Sequence, residues 1–401
     1  MNYKEIFELH HLALEQVEKY RKKRFIYTAI AGDKGKYFIG IAGPRGVGKT
    51  VLLRQLAREM DGALYVSLDT QNSSLDLFDF VKEVSIHYGV KVFLLDEIHY
   101  LKGYTEQLKK IYDFLGGVRI IFTSSIALWM LESGVDLSRR VKVIGMGPFN
   151  FREFLWFTRG ITLKPLSIED IISGNWNRQI LQYEYLFDEY LKGGLYPFTL
   201  EEPQPYHLFK NILERVITRD IPTVKRDMKV EEIENIKKVV DFIGKSQSEG
   251  INYSSISKNT GITKYKAIQY VALLDKGFIL NPIPPYGTNV TKEPKILMHL
   301  PYRLLYKSYS DCIGSLREDF FAEMMKFLNA KIFYLKSKRG KKTPDFLLQN
   351  HKDTIFEIGG KGKGVSQFKG YSASKYNKIV LSHPYSPGKV PLFLIGLLEK
   401  I

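Results

Sequence analysis

Short apolar runs alternate with amphipathic stretches through the first third of the chain. The runs are Tyr37–Ala42, Ala63–Leu68, Lys91–Asp96, Val118–Thr123 and Val141–Met146. Such alternation predicts an α/β domain, a parallel sheet with helices on both faces. Residues 1–24 predict an amphipathic helix ending in Arg21-Lys22-Lys23-Arg24, cations that suit a helix C-terminus. Residues 148–225 read as mainly helical and aromatic-rich, punctuated by prolines from Pro148 to Pro222. Residues 230–285 read as several short helices followed by a strand, with Pro282–Gly287 as a turn or linker. Residues 311–401 return to an α/β pattern, and no internal repeat is visible.

The first predicted strand runs into Gly43-Pro44-Arg45-Gly46-Val47-Gly48-Lys49-Thr50, and Val51 continues into a helical segment. This is G-x-x-x-x-G-K-T, a P-loop or Walker A motif, in the strand-to-helix context the motif requires. Its glycines let backbone N–H groups turn toward phosphates, and the following helix dipole favours negative charge. Lys49 is expected to reach the β- and γ-phosphates of ATP, and Thr50 to ligate Mg²⁺. Val92-Phe93-Leu94-Leu95 then delivers Asp96 and Glu97 to a strand end. Ligands of open parallel sheets bind at that edge. Asp96 is expected on Mg²⁺ and Glu97 as the general base that polarises the attacking water. Ile120–Ser125 supplies another strand ending in hydroxyls. Ser124 or Ser125 is expected to sense the γ-phosphate, with a helix N-cap as the other role open to Ser125. Arg139 or Arg140 is a candidate arginine finger, acting in cis or on a neighbouring subunit.

Composition changes the picture in one direction. Lys and Arg number 59 against 43 Asp and Glu, a net charge of +16, which favours polyanionic partners such as DNA. The one cysteine, Cys312, excludes an internal disulfide and a zinc site of the usual Cys-built kind. No apolar run approaches the ~18 residues of a membrane span and no secretory signal is visible, so a cytoplasmic location is expected.

Residues 251–280 carry a second pattern. A capped short helix, a turn through Gly261, a second helix from Lys264 to Lys276 and the start of a strand make a helix-turn-helix with a wing. Lys264, Tyr265, Lys266 and Gln269 would face outward at the start of the second helix, where they suit phosphate and base contacts. A protein-contact role is the alternative for such a module.

Together these residues resemble the prokaryotic, largely archaeal, AAA-type P-loop ATPases related to the STAND class. The marks include Leu95-Asp96-Glu97-Ile98-His99, Phe122-Thr123-Ser124-Ser125, Pro148–Phe154, Gly193-Gly194-Leu195-Tyr196-Pro197 and Val216–Ile221. The resemblance implies a P-loop core over 1–147, a helical lid over 148–228, a winged helix over 229–300 and an endonuclease-like domain over 301–401. It implies an additional-strand sheet and favours Arg140 as the finger. In the last domain Glu318, the Pro344-Asp345 hairpin and Glu357 resemble the restriction-endonuclease-like fold. Active members of that fold carry a lysine two residues after the Glu. Here Gly359 stands at that place, with Lys361 next on the same face if the strand continues, so Glu318, Asp345 and Glu357 read as a vestigial site.

The expected function is an ATP-binding, ATP-hydrolysing, Mg²⁺-dependent switch that is DNA-associated. A signalling switch acting through protein contacts or a homo-oligomer, and an ATP-regulated nuclease, are the alternatives.

Overall fold

The computed structural model describes residues 3–69, 75–126, 137–225, 227–287, 293–335 and 343–400. These divide into two compact units: residues 1–148 with 219–227, and residues 149–218 with 228–401. Segment 219–227, within the range expected for the lid, thus belongs to the first unit. Two segments that read from the sequence as a basic loop, 336–342, and as a helix that Ser125 would cap, 126–132, lie outside the described residues, except for Ile126.

In the first unit, helix α1 (Tyr3–Val17) precedes α2 (Ile26–Ala31) and β1 (Phe38–Ala42). Then follow α3 (Lys49–Glu59), β2 (Ala63–Ser67), α4 (Leu77–Tyr88), β3 (Val92–Asp96), α5 (Tyr104–Phe114), β4 (Arg119–Ser124) and β5 (Val141–Gly145). The five strands form one parallel sheet in the order β2-β3-β4-β1-β5. All five residues of β1 are buried. That continuous burial is the mark of a parallel strand covered on both faces, and it explains the uniform apolar runs. β4 lies between β1 and β3, with Ala42 opposite Ser124. The P-loop, the β3 acids and the β4 hydroxyls therefore leave the sheet at the same C-terminal edge.

Edge strand β2 exposes backbone donors, and α1 covers one of them: His10 Nδ1 accepts the Tyr65 N–H at 3.1 Å. Burial, reinforced by the neighbouring His11, pushes the His10 pKa down, which keeps the ring a neutral acceptor. Helix α1 ends at Val17, short of the expected basic C-terminus. Arg24 instead donates to the carbonyls of Val47 (2.6 Å), Gly147 (3.0 Å) and Pro148 (3.2 Å), so it braces the P-loop.

The second unit opens with α6 (Phe151–Arg159), β6 (Leu166–Ser167), α7 (Ile168–Ser173), α8 (Phe187–Glu189) and α9 (Tyr206–Arg215). Short α10 (Ile221–Val224) lies in the segment that returns to the first unit. Helices α11 (Val230–Lys245), α12 (Tyr253–Thr260) and α13 (Lys264–Lys276) precede an antiparallel pair, β7 (Leu280–Ile283) and β8 (Lys295–Met298). Asn252 and Thr263 accept backbone N–H bonds at the starts of α12 and α13, and Gly261 ends α12 at φ 72°. Long α14 (Tyr309–Phe327) then packs beside a second sheet. That sheet runs β13 (Val390–Pro391), β12 (Asn377–Ser382), β11 (Thr354–Gly359), β10 (Phe346–Leu348), β9 (Ile332–Tyr334). Its β9-β10-β11 half is antiparallel and its β11-β12-β13 half parallel. A terminal strand, β14 (Leu398–Lys400), pairs with β6. Among the described residues, no helix is long and apolar enough to cross a membrane.

Candidate functional site

The loop after β1 is tight because two glycines allow it. A Cβ on Gly43 would lie 2.0 Å from the Met146 carbonyl oxygen, and Gly48 takes φ 90° just before α3. The first turn of α3 therefore points its N–H groups into the space above β1 and β4.

Lys49 lies back along this loop. Its buried ammonium donates to the carbonyls of Gly43 (2.8 Å) and Pro44 (2.9 Å) and to Ser125 Oγ (3.1 Å). Burial pushes its pKa down, while Glu97 pulls the other way. Thr50 Oγ1 donates to Asp96 Oδ2 at 2.7 Å. Tyr65 donates to the same carboxylate oxygen and Thr123 to the other. Burial, then the charge of Glu97, pushes the Asp96 pKa up; the three hydroxyls oppose this.

Glu97 takes φ 55°, a left-handed conformation that a non-glycine residue rarely adopts. The strain is held by its neighbours, since Glu97 N donates to Thr123 Oγ1 at 2.9 Å. The twist turns the carboxylate toward Ser125, whose Oγ donates to Oε1 and whose N–H donates to Oε2 at 3.1 Å. Arg45 Nη1 lies 3.6 Å from Oε1 and His99 Nδ1 3.3 Å from Oε2. Burial would raise the Glu97 pKa, but Lys49, His99 and Arg45 hold it down at about 2.

The structure thus brings together Arg45, Lys49, Thr50, Asp96 and Glu97. Of the two serines, Ser125 joins them. Ser124 is turned away: its Oγ donates to the Ile126 carbonyl at 2.8 Å and lies 3.3 Å from His99 Nδ1. Arg140 does not serve this P-loop. Its carbonyl receives the Phe38 N–H, so it stands at the N-terminal edge of the sheet, a strand length of ~16 Å from the loop. Its guanidinium is bound to Asp113 at 2.8 and 3.0 Å. Three further residues, Asp220, Tyr100 and Arg24, hold the loop from distant parts of the sequence. Asp220 lies in the Val216–Ile221 mark, to which the sequence assigned no chemistry; around Arg24 only the basic character was visible, and Tyr100 carried no motif.

On α13, Tyr265 is 69% exposed and Gln269 half-buried. Lys264 is ion-paired with Glu293, and Lys266 lies 3.9 Å from Glu232. Both lysines therefore have acidic partners within the chain.

In the second sheet Glu318, Asp345 and Glu357 influence one another, each with a cation close by. Lys295 pairs with Glu318 at 2.7 Å. Strand β11 stops at Gly359, and Lys363 rather than Lys361 reaches back to Glu357. A Cβ on Gly359 would lie 2.1 Å from Lys363 Cγ, so the glycine makes room for that lysine. Among the described residues no group of three or more His, Cys, Asp or Glu is arranged to hold a metal ion.

Burial, then the charge of Glu318, pushes the Asp345 pKa from 3.8 up to about 7. A raised carboxyl pKa means the folded state holds the proton more tightly, so stability is lost as pH rises from about 4 to about 7. Asp345→Asn stays neutral throughout. It is expected to stabilise the protein at pH 8 by on the order of 2 kcal/mol and to change little at pH 4, as read by urea unfolding at both pH values.

Residues 35–155 match the AAA domain family, and residues 184–299 match a domain of unknown function. The sequence is 31% identical to an uncharacterized protein of Methanocaldococcus jannaschii over 404 aligned positions, 90% of this chain and 85% of that protein. Similar solved structures include PCH-2 of C. elegans, at 22% identity and TM-score 0.22 over 36% of this chain and 42% of that one. AMPPCP-bound DnaA from Aquifex aeolicus is 18% identical, with TM-score 0.26 over 63% of this chain and 87% of that one.

Proposed function

The chain belongs to the same family as the Methanocaldococcus jannaschii protein and carries an AAA-type P-loop ATPase domain; from that premise we propose that it is a Mg²⁺-dependent ATP hydrolase working as a nucleotide switch. The observation that carries this reading is the chain of contacts from Lys49 through Ser125 to Glu97. It supports the reading because the Lys49 ammonium and the Glu97 carboxylate share one hydroxyl at one sheet edge, as a phosphate-binding cation and a water-activating acid would need.

The donor set fits Mg²⁺, because the Thr50 hydroxyl already faces the Asp96 carboxylate and both are hard oxygen ligands. Such an ion takes its remaining ligands from phosphates and water, so no cluster of protein acids is needed. Thr50 and Asp96 would hold it, and it would neutralise phosphate charge. The P-loop N–H groups and Lys49 bind the phosphates of ATP. Glu97 orients and polarises the attacking water, and Ser125, bonded to both Lys49 and Glu97, registers whether the γ-phosphate is present. A cytoplasmic location belongs to this proposal.

DNA is the proposed partner, supported by the net charge of +16 and by the three-helix segment α11–α13 followed by an antiparallel pair. Turnover with and without double-stranded DNA across a salt series tests it. The expected result is stimulation that falls steeply with salt. The pairing of Lys264 and Lys266 with acids favours a second reading, in which α13 serves protein contact. Nucleotide retained through purification, with no salt-dependent DNA binding, is its expected signature. The lysines lodged among Glu318, Asp345 and Glu357 support an interaction domain rather than a nuclease.

A further inference from the structure

Arg45 is the third residue of the P-loop, yet its guanidinium is pinned from outside the loop. Asp220, wholly buried, accepts bonds from Nε at 2.5 Å and Nη2 at 2.8 Å. The Tyr100 phenol accepts from Nη2 at 2.7 Å and donates to Asp220 Oδ1 at 2.9 Å. Two of the three guanidinium nitrogens are thereby fixed. The third, Nη1, faces Glu97.

Glu97 Oε1 is also the atom that Ser125 Oγ bonds, and Ser125 Oγ in turn receives Lys49 Nζ. Arg45 therefore belongs to the cluster where the terminal phosphate and the attacking water would meet, not to a base- or ribose-binding surface. A buried carboxylate so near a triphosphate site would repel nucleotide unless a cation absorbed its charge. Asp220 is thus no phosphate ligand; it serves by holding Arg45. Finally, a planar guanidinium fixed on two nitrogens presents the third in a set direction, and a donor already in place costs no reorganisation during reaction.

We propose that Arg45 is the cis-acting cation for the γ-phosphate, and that Asp220 and Tyr100 are its positioning residues. Arg45 takes the role that sequence had offered to Arg140, which lies at the far edge of the sheet. Asp220 sits 175 residues further along the chain, in the segment 219–227 that rejoins the first unit. The γ-phosphate contact is thereby tied to a segment whose two ends continue into the second unit. The inference rests on the ATP-binding reading of the P-loop.

The test compares affinities for ADP and for AMPPNP, by calorimetry on the full chain, in wild type, Arg45→Ala, Asp220→Asn and Tyr100→Phe. Arg45→Ala is expected to weaken AMPPNP binding at least ~10-fold more than ADP binding, as loss of one charge-assisted contact to the terminal phosphate requires. Asp220→Asn and Tyr100→Phe should shift the same ratio in the same direction by smaller factors. The double variant Arg45→Ala/Asp220→Asn should bind AMPPNP no more weakly than Arg45→Ala alone and regain part of the loss, because Asp220 acts through the arginine and its bare charge is gone. If Asp220→Asn fails to fold, Tyr100→Phe, which keeps the carboxylate, gives the same readout. Equal weakening of both nucleotides, or an unchanged ratio in Arg45→Ala, overturns the inference and leaves the ATP-binding reading standing. A wild-type chain that binds neither nucleotide overturns both.

Discussion

Glu97→Gln is expected to slow ATP turnover by roughly 10²–10⁴-fold, the usual contribution of a positioned general base, while ATP still binds. Glutamine keeps the shape, and its amide oxygen can still accept one of the two Ser125 bonds that fix the side chain, so the loop geometry should largely survive. What it removes is the negative charge. That charge is secure, because Lys49, His99 and Arg45 hold the carboxyl at about 2 against its burial. A depressed pKa means the group is ionised above that value and loses its charge only as pH falls through it. The acid limb of the kcat/KM profile, which reports the free enzyme, should therefore not report Glu97. So weak a base orients water better than it takes a full proton. Phosphates that engage Lys49 and Arg45 would weaken their hold on Glu97 and raise its basicity. Steady-state phosphate release beside equilibrium nucleotide binding separates these effects.

Asp319→Ala is expected to cost about 3–5 kcal/mol of stability, the penalty for stranding one member of a buried ion pair. Arg303 is fully buried on the turn before α14. Its Nε and Nη2 bond Asp319 at 2.7 and 3.1 Å, and its Nη1 donates to the carbonyls of Ile243 and Ser246, each at 3.1 Å. Asp319 also accepts the Met298 N–H at 3.0 Å. One pair thus ties α11, β8 and α14 of the second unit together. Truncating the acid leaves a buried guanidinium without its bonded counter-charge. Replacing both residues by apolar ones of similar volume should recover part of the loss, since the pair also carries a desolvation cost. Urea unfolding of the three proteins measures both differences.

The parts of the site legible in the sequence are those written in consecutive residues. Gly43 to Thr50 follows an apolar strand and enters a helix, and Asp96 and Glu97 end a second buried run. Such signals need only local chain geometry, so the parallel sheet and the P-loop followed from the pattern. The rest depended on pairings between distant segments. Arg140 is the exception: it directly precedes the predicted strand Val141–Met146, so a parallel sheet by itself puts it at the edge opposite the nucleotide, and β5 lying parallel to β1 agrees. The choice between Ser124 and Ser125 was a single-residue question at a strand end, where neighbours point to opposite sides. Val216–Ile221 was visible only as a mark of the resemblance; that Asp220 in it would bond a P-loop arginine depends on contact between distant segments. In the second unit, Gly359-Gly360 signalled an interruption. That Lys363 would reach back across it to Glu357 depended on the turn that follows.

The most direct test of ATP hydrolysis at this P-loop is phosphate release by the purified chain with Mg²⁺ and ATP, beside Lys49→Ala. The predicted result is steady turnover in the wild type and none above background in the variant, whose ammonium is the cation expected at the β- and γ-phosphates. No turnover in the wild type, or equal turnover in the two proteins, would contradict it.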